Sequence, residues 1–410
     1  MLRLNDLPDT DLNRIRIASA YLFSPEQARN DEFLRSLKFD LIRQAFRERA
    51  KQYHPDGYTH ESPEILEKRR ERFIKIRESY ETLANYIGRQ SPSPVFKALR
   101  QRTIIAVGGA KGGIGKSVFS ANLGVLFSRL GYRTVLVDLD LGGANLHLYL
   151  GETSLARSIN DFLAQRVFKL EDIMIATKYG PALIGGDSSQ LGAANLHYSL
   201  KLKLLRSIKT LDADTIILDL GSGTSFNTID FFLAADHRLV LTTCDPSSYL
   251  TAYSFIVVSL LRTLNRVCHG DSNPEVVRHA ELKRLIEEAT LSRNGRRVKT
   301  IPQLLERIRT EQPQYLLMIH HLIERFRPYL VVNMVDSSSD ATPVVERIRQ
   351  VAQKMLSVDI TYLGALPYQP EIRQSTRDLI PVVAKSPAGP LSRTLATFAH
   401  ILVSNNPVKH

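Results

Sequence analysis

The sequence predicts an α/β protein: a doubly wound, mostly parallel sheet carrying an inserted helical subdomain, preceded by a small all-α domain. Three observations carry that expectation. First, from Thr103 onward short apolar runs alternate with helical stretches; the runs are Ile104–Val107, Thr134–Val137, Thr215–Leu218, Leu239–Thr243, Leu330–Val335 and Thr361–Leu366. Runs of this length and composition suit strands buried on both faces, and their alternation with helices suits a doubly wound sheet. Second, more than 80 residues separate the run ending at Thr243 from the one starting at Leu330, where one crossover helix would serve. Helical periodicity recurs there over 274–289, 301–309 and 314–325, so an insertion is expected over about 266–328. Third, residues 1–88 are polar, charged and helical in pattern, and Gln90-Ser91-Pro92-Ser93-Pro94 marks a linker at 89–100. The expected domains are thus 1–88, and 101–410 beyond the linker.

Composition narrows the function classes. The chain has 410 residues, 43% of them hydrophobic and 23% charged, so a sizeable core is available. Its formal net charge of +12 suits either a mildly basic cytosolic protein or one that meets nucleic acid or anionic lipid. Cys244 and Cys268 are its two cysteines, which argues against a disulfide framework, a zinc site or a cysteine-held cluster within one chain. The charged N-terminus lacks an apolar secretory core, and no run of 18 apolar residues occurs, so a cytoplasmic protein is expected. The tract Arg293-Asn294-Gly295-Arg296-Arg297-Val298-Lys299 reads either as a solvated loop or as a partner contact.

The first run leads into a glycine-rich turn, Gly108-Gly109-Ala110-Lys111-Gly112-Gly113-Ile114-Gly115-Lys116-Ser117-Val118, and then a helix. Gly112, Gly113 and Gly115 let the backbone approach phosphate oxygens, with successive N–H groups forming an anion nest. The helix N-terminus adds its positive end. Lys116 would reach the β- and γ-phosphates, and the Ser117 hydroxyl would ligate Mg²⁺. Nucleotide binding is therefore expected over Gly112–Val118, with Ile114 and Val118 among the contacts. Two further strings follow at strand ends: Asp138-Leu139-Asp140-Leu141-Gly142-Gly143-Ala144-Asn145, and Asp219-Leu220-Gly221-Ser222-Gly223. Carboxylates at the C-terminal ends of parallel strands sit in the crevice where ligands bind.

With Ala110 in place of the usual first glycine and a second lysine at Lys111, the loop resembles the deviant P-loop of MinD/ParA-type ATPases. The resemblance covers about residues 101–403. It implies an ATP-hydrolysing switch working with Mg²⁺ as an ATP-dependent homodimer. Lys111 would contact phosphate across the dimer, making Lys111, Lys116 and Asp140 the catalytic set. Asp140 would orient the attacking water. Asp138 would support the metal site with Ser117, Asp219 would hold Mg²⁺ through water, and Gly223 would sense the γ-phosphate. Asn333, which ends the strand Leu330–Val332, and Pro367, in the Gly364-Ala365-Leu366-Pro367 string that ends the last strand, would contact adenine. Within the family, the strings TTCDPSSYLTAYSFI and LDLGSGTSFNTIDFFLAADHRLVL most resemble the flagellar-number regulators of the FlhG branch. That likeness implies flagellar or polar assembly partners. The branch's N-terminal DQAxxLR motif leaves at most a trace in Ala98-Leu99-Arg100, and the helical insertion is additional.

Residues 34–87 carry a second resemblance. Ile42, Phe46, Ala50 and Tyr53 fall on one helical face, Arg43, Arg47 and Lys51 on another, and the helix runs into His54-Pro55-Asp56. A second amphipathic helix follows with Phe73, Ile76, Tyr80, Leu83 and Ile87. The pair resembles a DnaJ-type J domain, which implies that His54, Pro55, Asp56 and the basic face contact a DnaK-type chaperone. The alternative is a J-like helical hairpin kept as a docking module, since no clear YxxLG start precedes it.

The leading expectation is an ATPase switch that positions or counts a cellular structure. DNA segregation of the ParA kind and a co-chaperone localised by its ATPase domain stand as alternatives, with DNA binding not favoured. The segment 390–404 reads as a last helix packing on the sheet, so membrane contact is expected to be peripheral at most.

Overall fold

The computed structural model describes residues 9–37, 39–53, 63–86, 102–187, 196–268, 280–290 and 300–404. The chain divides into two compact units, one up to Gln101 and one from Arg102.

The first unit is helical. Its helices are Asp9–Leu22, Pro25–Arg29, Asp31–Arg35, Phe39–Tyr53 and Pro63–Tyr86. Ser24 and Asn30 cap the two short helices through their side-chain oxygens, satisfying first-turn N–H groups. The two long helices run antiparallel, since Phe46 meets Tyr80 at a ring-centroid distance of 4.8 Å while Tyr53 meets Arg72. Ile42, Phe46 and Ala50 from one and Ile76, Tyr80 and Leu83 from the other form the core. The helix Asp9–Leu22 completes it with Ile15, Ala18 and Leu22, a contribution the periodicity of residues 34–87 did not include. His54, Pro55 and Asp56, Ile87 and the linker over 89–100 lie outside the described residues, as do the side chains of Arg43, Arg47 and Lys51.

The second unit is an eight-stranded sheet: β1 Thr103–Gly108, β2 Thr134–Leu139, β3 Ile175–Ala176, β4 Ala182–Ile184, β5 Thr215–Leu220, β6 His237–Thr242, β7 Tyr329–Val335 and β8 Thr361–Pro367. The order is β3-β4-β2-β5-β1-β6-β7-β8, and every pairing is parallel except β3 with β4. Each of the six apolar runs is a strand. β3 and β4 escape the pattern because two or three residues, closed off by Pro181 and Gly185, are too short to show a period. β7 runs on to Val335, so Asn333 lies within that strand rather than at its end.

Alternate residues of β1 feed different cores. Ile104 and Ala106 join the larger cluster, Ile105 and Val107 the smaller. The smaller cluster includes the helix after the glycine-rich turn, Lys116–Arg129, and the last helix, Pro390–Ser404, through Leu395, Phe398 and Leu402. The larger takes in Tyr198–Thr210, Phe226–Leu233, Pro246–Cys268 and Ser338–Leu356. It also takes in helices of the long connection, Ala280–Thr290, Ile301–Glu311 and Leu316–Arg325, through Leu285, Ile308 and Ile323. The connection therefore adds to the core beside the sheet instead of enclosing one of its own. Arg284 and Arg307 each pair with both Glu288 and Glu311, tying two of its helices. The basic tract over 293–299 lies outside the described residues.

Strand order reverses at β1, whose neighbours are β5 and β6. The chain goes from β1 to β2 on one side and later builds β6, β7 and β8 on the other. Such a switch point opens a crevice at the C-terminal ends of the strands, and the three motif strings lie there.

Candidate functional site

The glycine-rich turn spans from the end of β1 to the helix beginning at Lys116. Gly115, the cap of that helix, has φ +87, a left-handed conformation that L side chains rarely adopt. A Cβ there would also lie 2.6 Å from Asn333 Nδ2, so the position requires glycine twice over. Lys116 is 7% exposed, and its Nζ donates to the Lys111 carbonyl at 3.1 Å. Burial lowers its pKa, against the attraction of Asp219 and Asp140.

Three carboxylates converge beside it, and each is placed differently. β2 and β5 pair with Asp138 opposite Asp219. Asp138 is fully buried; its Oδ1 accepts the Asp140 N–H at 3.1 Å and its Oδ2 the Leu146 N–H at 3.0 Å. It thus pins both ends of the loop that carries Asp140. Asp219 is also fully buried, with Oδ1 accepting from the Ser120 hydroxyl at 2.8 Å and Oδ2 buried without a protein partner. Burial raises the pKa of both carboxyls, and the neighbouring Asp219 charge adds to the rise at Asp138. At Asp219 the Ser117 and Ser120 hydroxyls and the Lys116 ammonium oppose it. Asp140 occupies space that Gly221 leaves open, since a Cβ on Gly221 would lie 2.8 Å from Asp140 Oδ1.

This donor set suits a hard divalent cation. A buried carboxylate oxygen without a hydrogen-bond donor, beside a serine hydroxyl and next to a phosphate-binding turn, provides the oxygen ligands Mg²⁺ takes alongside water and phosphate.

A cavity of about 320 Å³ lies between the glycine-rich turn and the ends of β7 and β8. Gly113, Gly115, Val118, Asn333 and Pro367 all line it. Asn333 is held by donating from Nδ2 to the Ile114 carbonyl at 2.8 Å. Ile114 itself is 3% exposed and packs into the smaller core. Asn122 and Tyr149 also line the cavity, which sequence reasoning missed. Neither carried a local sequence signal, since Asn122 is one of several polar residues on its helix.

Two further contacts tie the glycine-rich turn to its surroundings. Lys111 Nζ donates to the Ser247 hydroxyl at 2.8 Å, at the start of the helix Pro246–Cys268. The Gly223 N–H donates to the Ala110 carbonyl at 2.9 Å, joining the loop after β5 to the phosphate turn. Gly112 stands exposed at the turn's tip. The described residues therefore bring Lys116, Ser117, Asp138, Asp140 and Asp219 together, and Lys111 turns toward Ser247.

A phosphate turn at a switch point, a buried lysine and strand-end carboxylates define a P-loop nucleotide-binding protein of the α/β class. The model of the CobQ/CobB/MinD/ParA nucleotide binding domain matches residues 105–382, and the chain belongs to that family, whose fold is that of a nucleotide-binding ATPase. Antiactivator FleN of Pseudomonas aeruginosa is 23% identical over 67% of this chain and 76% of its own length. The flagellum site-determining protein YlxH of Helicobacter pylori is 30% identical over 43% of this chain and 60% of its own. The septum site-determining protein MinD of Pyrococcus horikoshii, complexed with Mg-ADP, is 20% identical over 74% of this chain and 96% of that one, with a TM-score of 0.50. That likeness is one of fold. No helix among the described residues is long and apolar enough to cross a membrane.

Proposed function

We propose that the chain is a Mg²⁺-dependent ATP-hydrolysing switch that dimerises on ATP and regulates the position or number of a cellular structure, flagellar or polar. The observation that carries the ATPase reading is the Asp219 oxygen left buried without a partner beside Ser117 and Lys116. Phosphoryl transfer needs positioning and positive charge more than covalent chemistry. The turn's N–H groups and Lys116 bind the phosphates, and Ser117 and Asp219 would hold the cation. Mg²⁺, when bound, neutralises charge on the phosphate oxygens. Asp140, held in place by the Asp138-anchored loop, orients the attacking water in line. Release of Lys111 from Ser247 frees it to reach a partner subunit, which couples hydrolysis to dimerisation. The flagellar role rests on likeness to proteins named for flagellar site determination and antiactivation.

The N-terminal helical unit we read as J-like, recruiting a DnaK-type chaperone or another partner. Its antiparallel core of Ile42, Phe46 and Ala50 against Ile76, Tyr80 and Leu83 supports that reading, with the HPD string between the two helices in sequence.

Light scattering on a sizing column, with and without ATP, beside a phosphate-release assay tests the switch. Asp140→Ala should accumulate an ATP-bound dimer with hydrolysis cut at least about 10-fold, a barrier rise of about 1.4 kcal/mol. Lys111→Ala should stay monomeric and inactive. A wild-type protein that remains monomeric yet hydrolyses ATP at a concentration-independent specific rate would remove the dimer from the mechanism.

A further inference from the structure

A second cavity, of about 350 Å³, adjoins the Asp140 loop, and none of its lining residues is one assigned to nucleotide or metal. Ala144 and His147, from the loop and the helix Leu146–Tyr149, form part of its wall, and Arg157, Ser158, Asp161 and Arg166 form much of the rest. Gly186 also lines it and joins it tightly to the switch: a Cβ on Gly186 would lie 2.8 Å from Ala144 Cβ and 3.3 Å from the Asp138 carbonyl.

Two carboxylates, Asp161 and Asp187, line the cavity beside its donors. Asp161 is already engaged, with Oδ2 accepting the Ser158 N–H at 3.0 Å and Oδ1 accepting from Arg166 at 3.2 Å. Ser158 Oγ accepts the Asn160 N–H at 3.2 Å, so its own hydroxyl hydrogen is left to donate. Ser158 is 6% exposed and held by this capping box, so the donor is fixed in place. The Arg157 guanidinium makes no ion pair among the described residues, and Arg166 keeps donors beyond the one that meets Asp161. His147 adds a buried ring nitrogen, Nδ1, without a partner. Two guanidinium groups and a hydroxyl around a small space match the oxygens of a phosphate or carboxylate group.

We propose that this cavity binds a small oxyanion through Arg157, Arg166 and Ser158, and that its occupancy regulates hydrolysis by fixing the loop that carries Asp140. The binding stands on the cavity alone; the regulation rests on the reading of that loop as the ATPase switch. An anion here would hold Ala144 and His147 against the Arg157–Arg166 wall, while Asp138 pins the same loop from within the sheet. The geometry of Asp140 would then depend on both.

The test uses the full chain saturated with Mg²⁺ and a non-hydrolysable ATP analogue, so that the phosphate turn is filled. Inorganic phosphate and succinate are titrated separately at constant ionic strength while thermal unfolding is followed. Expected is a saturable rise in melting temperature with at least one of them, and the stronger of the two identifies the anion as phosphate or carboxylate. Arg157→Ala should weaken the response at least about 10-fold, because charge-assisted hydrogen bonds are lost. Arg157→Lys, which keeps the charge, should retain part of it. The same anion should change steady-state ATP hydrolysis in the wild type and not in Arg157→Ala. No saturable rise, or an equal rise in Arg157→Ala, overturns the site. An Arg157-dependent rise without an Arg157-dependent change in hydrolysis overturns the regulation. The titration repeated on Lys116→Ala without nucleotide reads the cavity independently of ATPase activity, so failure of the ATPase reading is seen separately.

Discussion

Gly221 gives a way to displace the Asp140 carboxylate without removing it. The residue follows β5, and a Cβ added there would lie 2.8 Å from Asp140 Oδ1 and 3.2 Å from its Cγ. Ordinary van der Waals contact for such a pair begins at 3.4 Å, so the carboxylate must retreat by roughly 0.6 Å or more. Gly221 is not among the positive-φ glycines, so alanine adds no backbone strain. The change should therefore act on the side chain's position and leave the fold intact. A misplacement on the order of 1 Å costs up to about 100-fold in rate when the displaced group orients a reactant. Gly221→Ala should lower kcat by about 10- to 100-fold, equivalent to about 1.4–2.7 kcal/mol of barrier. ATP affinity should stay within about 3-fold, about 0.6 kcal/mol, because Lys116 and the phosphate turn are untouched. Single-turnover phosphate release gives the rate and titration calorimetry the affinity, with Asp140→Ala as the limiting case. A Gly221→Ala protein that hydrolyses ATP at the wild-type rate, while Asp140→Ala does not, would show that the position of this carboxylate is not what limits the reaction.

Three further outcomes are expected. Lys116→Ala should abolish nucleotide binding by calorimetry, since its ammonium is the buried cation of the turn and Lys111 faces Ser247; unchanged affinity would sink the phosphate-loop assignment. Asp230→Asn should destabilise the second unit by roughly 3 kcal/mol or more, because buried Lys201 loses the carboxylate it shares with Arg262 and Arg266. Burial pushes the Asp230 pKa up, but Arg262, Lys201 and Arg266 outweigh it and the net shift is downward. Its stabilisation should therefore be complete above the unfolded value of about 3.9 and disappear as pH falls through the folded one. Chemical denaturation at several pH values checks this: the gap between wild type and Asp230→Asn should close toward acid, and a gap independent of pH would contradict the linkage. Finally, His54→Gln should leave basal ATP hydrolysis unchanged while removing any stimulation of a DnaK-type chaperone, measured in the same phosphate-release assay with the chaperone added.

The chemistry-bearing strings could be read because their chemistry restricts residue types at fixed local spacing. A phosphate turn needs glycines where the backbone meets an anion, and metal and water positioning need carboxylates at strand ends. Gly113, Gly115, Lys116, Asp138, Asp140 and Asp219 therefore stood out before any fold was known. Ser120 and Ser247 did not. A serine on a helix face or at a helix start has many ordinary uses, and only tertiary contact gives these two their tasks at Asp219 and Lys111. The strands were legible for a similar reason, because burial on both faces leaves uninterrupted apolar runs. β3 and β4 fell below the length at which a period exists, and the helix Asp9–Leu22 joins a core with residues far along the chain.

The sequence by itself determined the class of fold, the phosphate turn and the carboxylates at the strand ends, because each is written within a few consecutive residues. The tertiary structure decided what depends on distant partners. It distinguished three neighbouring carboxylates, tying Asp138 to the loop by two N–H bonds, leaving an Asp219 oxygen without a donor, and fitting Asp140 against Gly221. It joined Asn333 to Ile114, 219 positions apart, and so closed one side of the cavity beside the glycine-rich turn. It set Arg157 and Arg166 around a space behind the Asp140 loop. In each case the cause is the same: hydrogen bonds and excluded volume act between atoms near in space, and the one-dimensional pattern carries no record of which distant residues will meet.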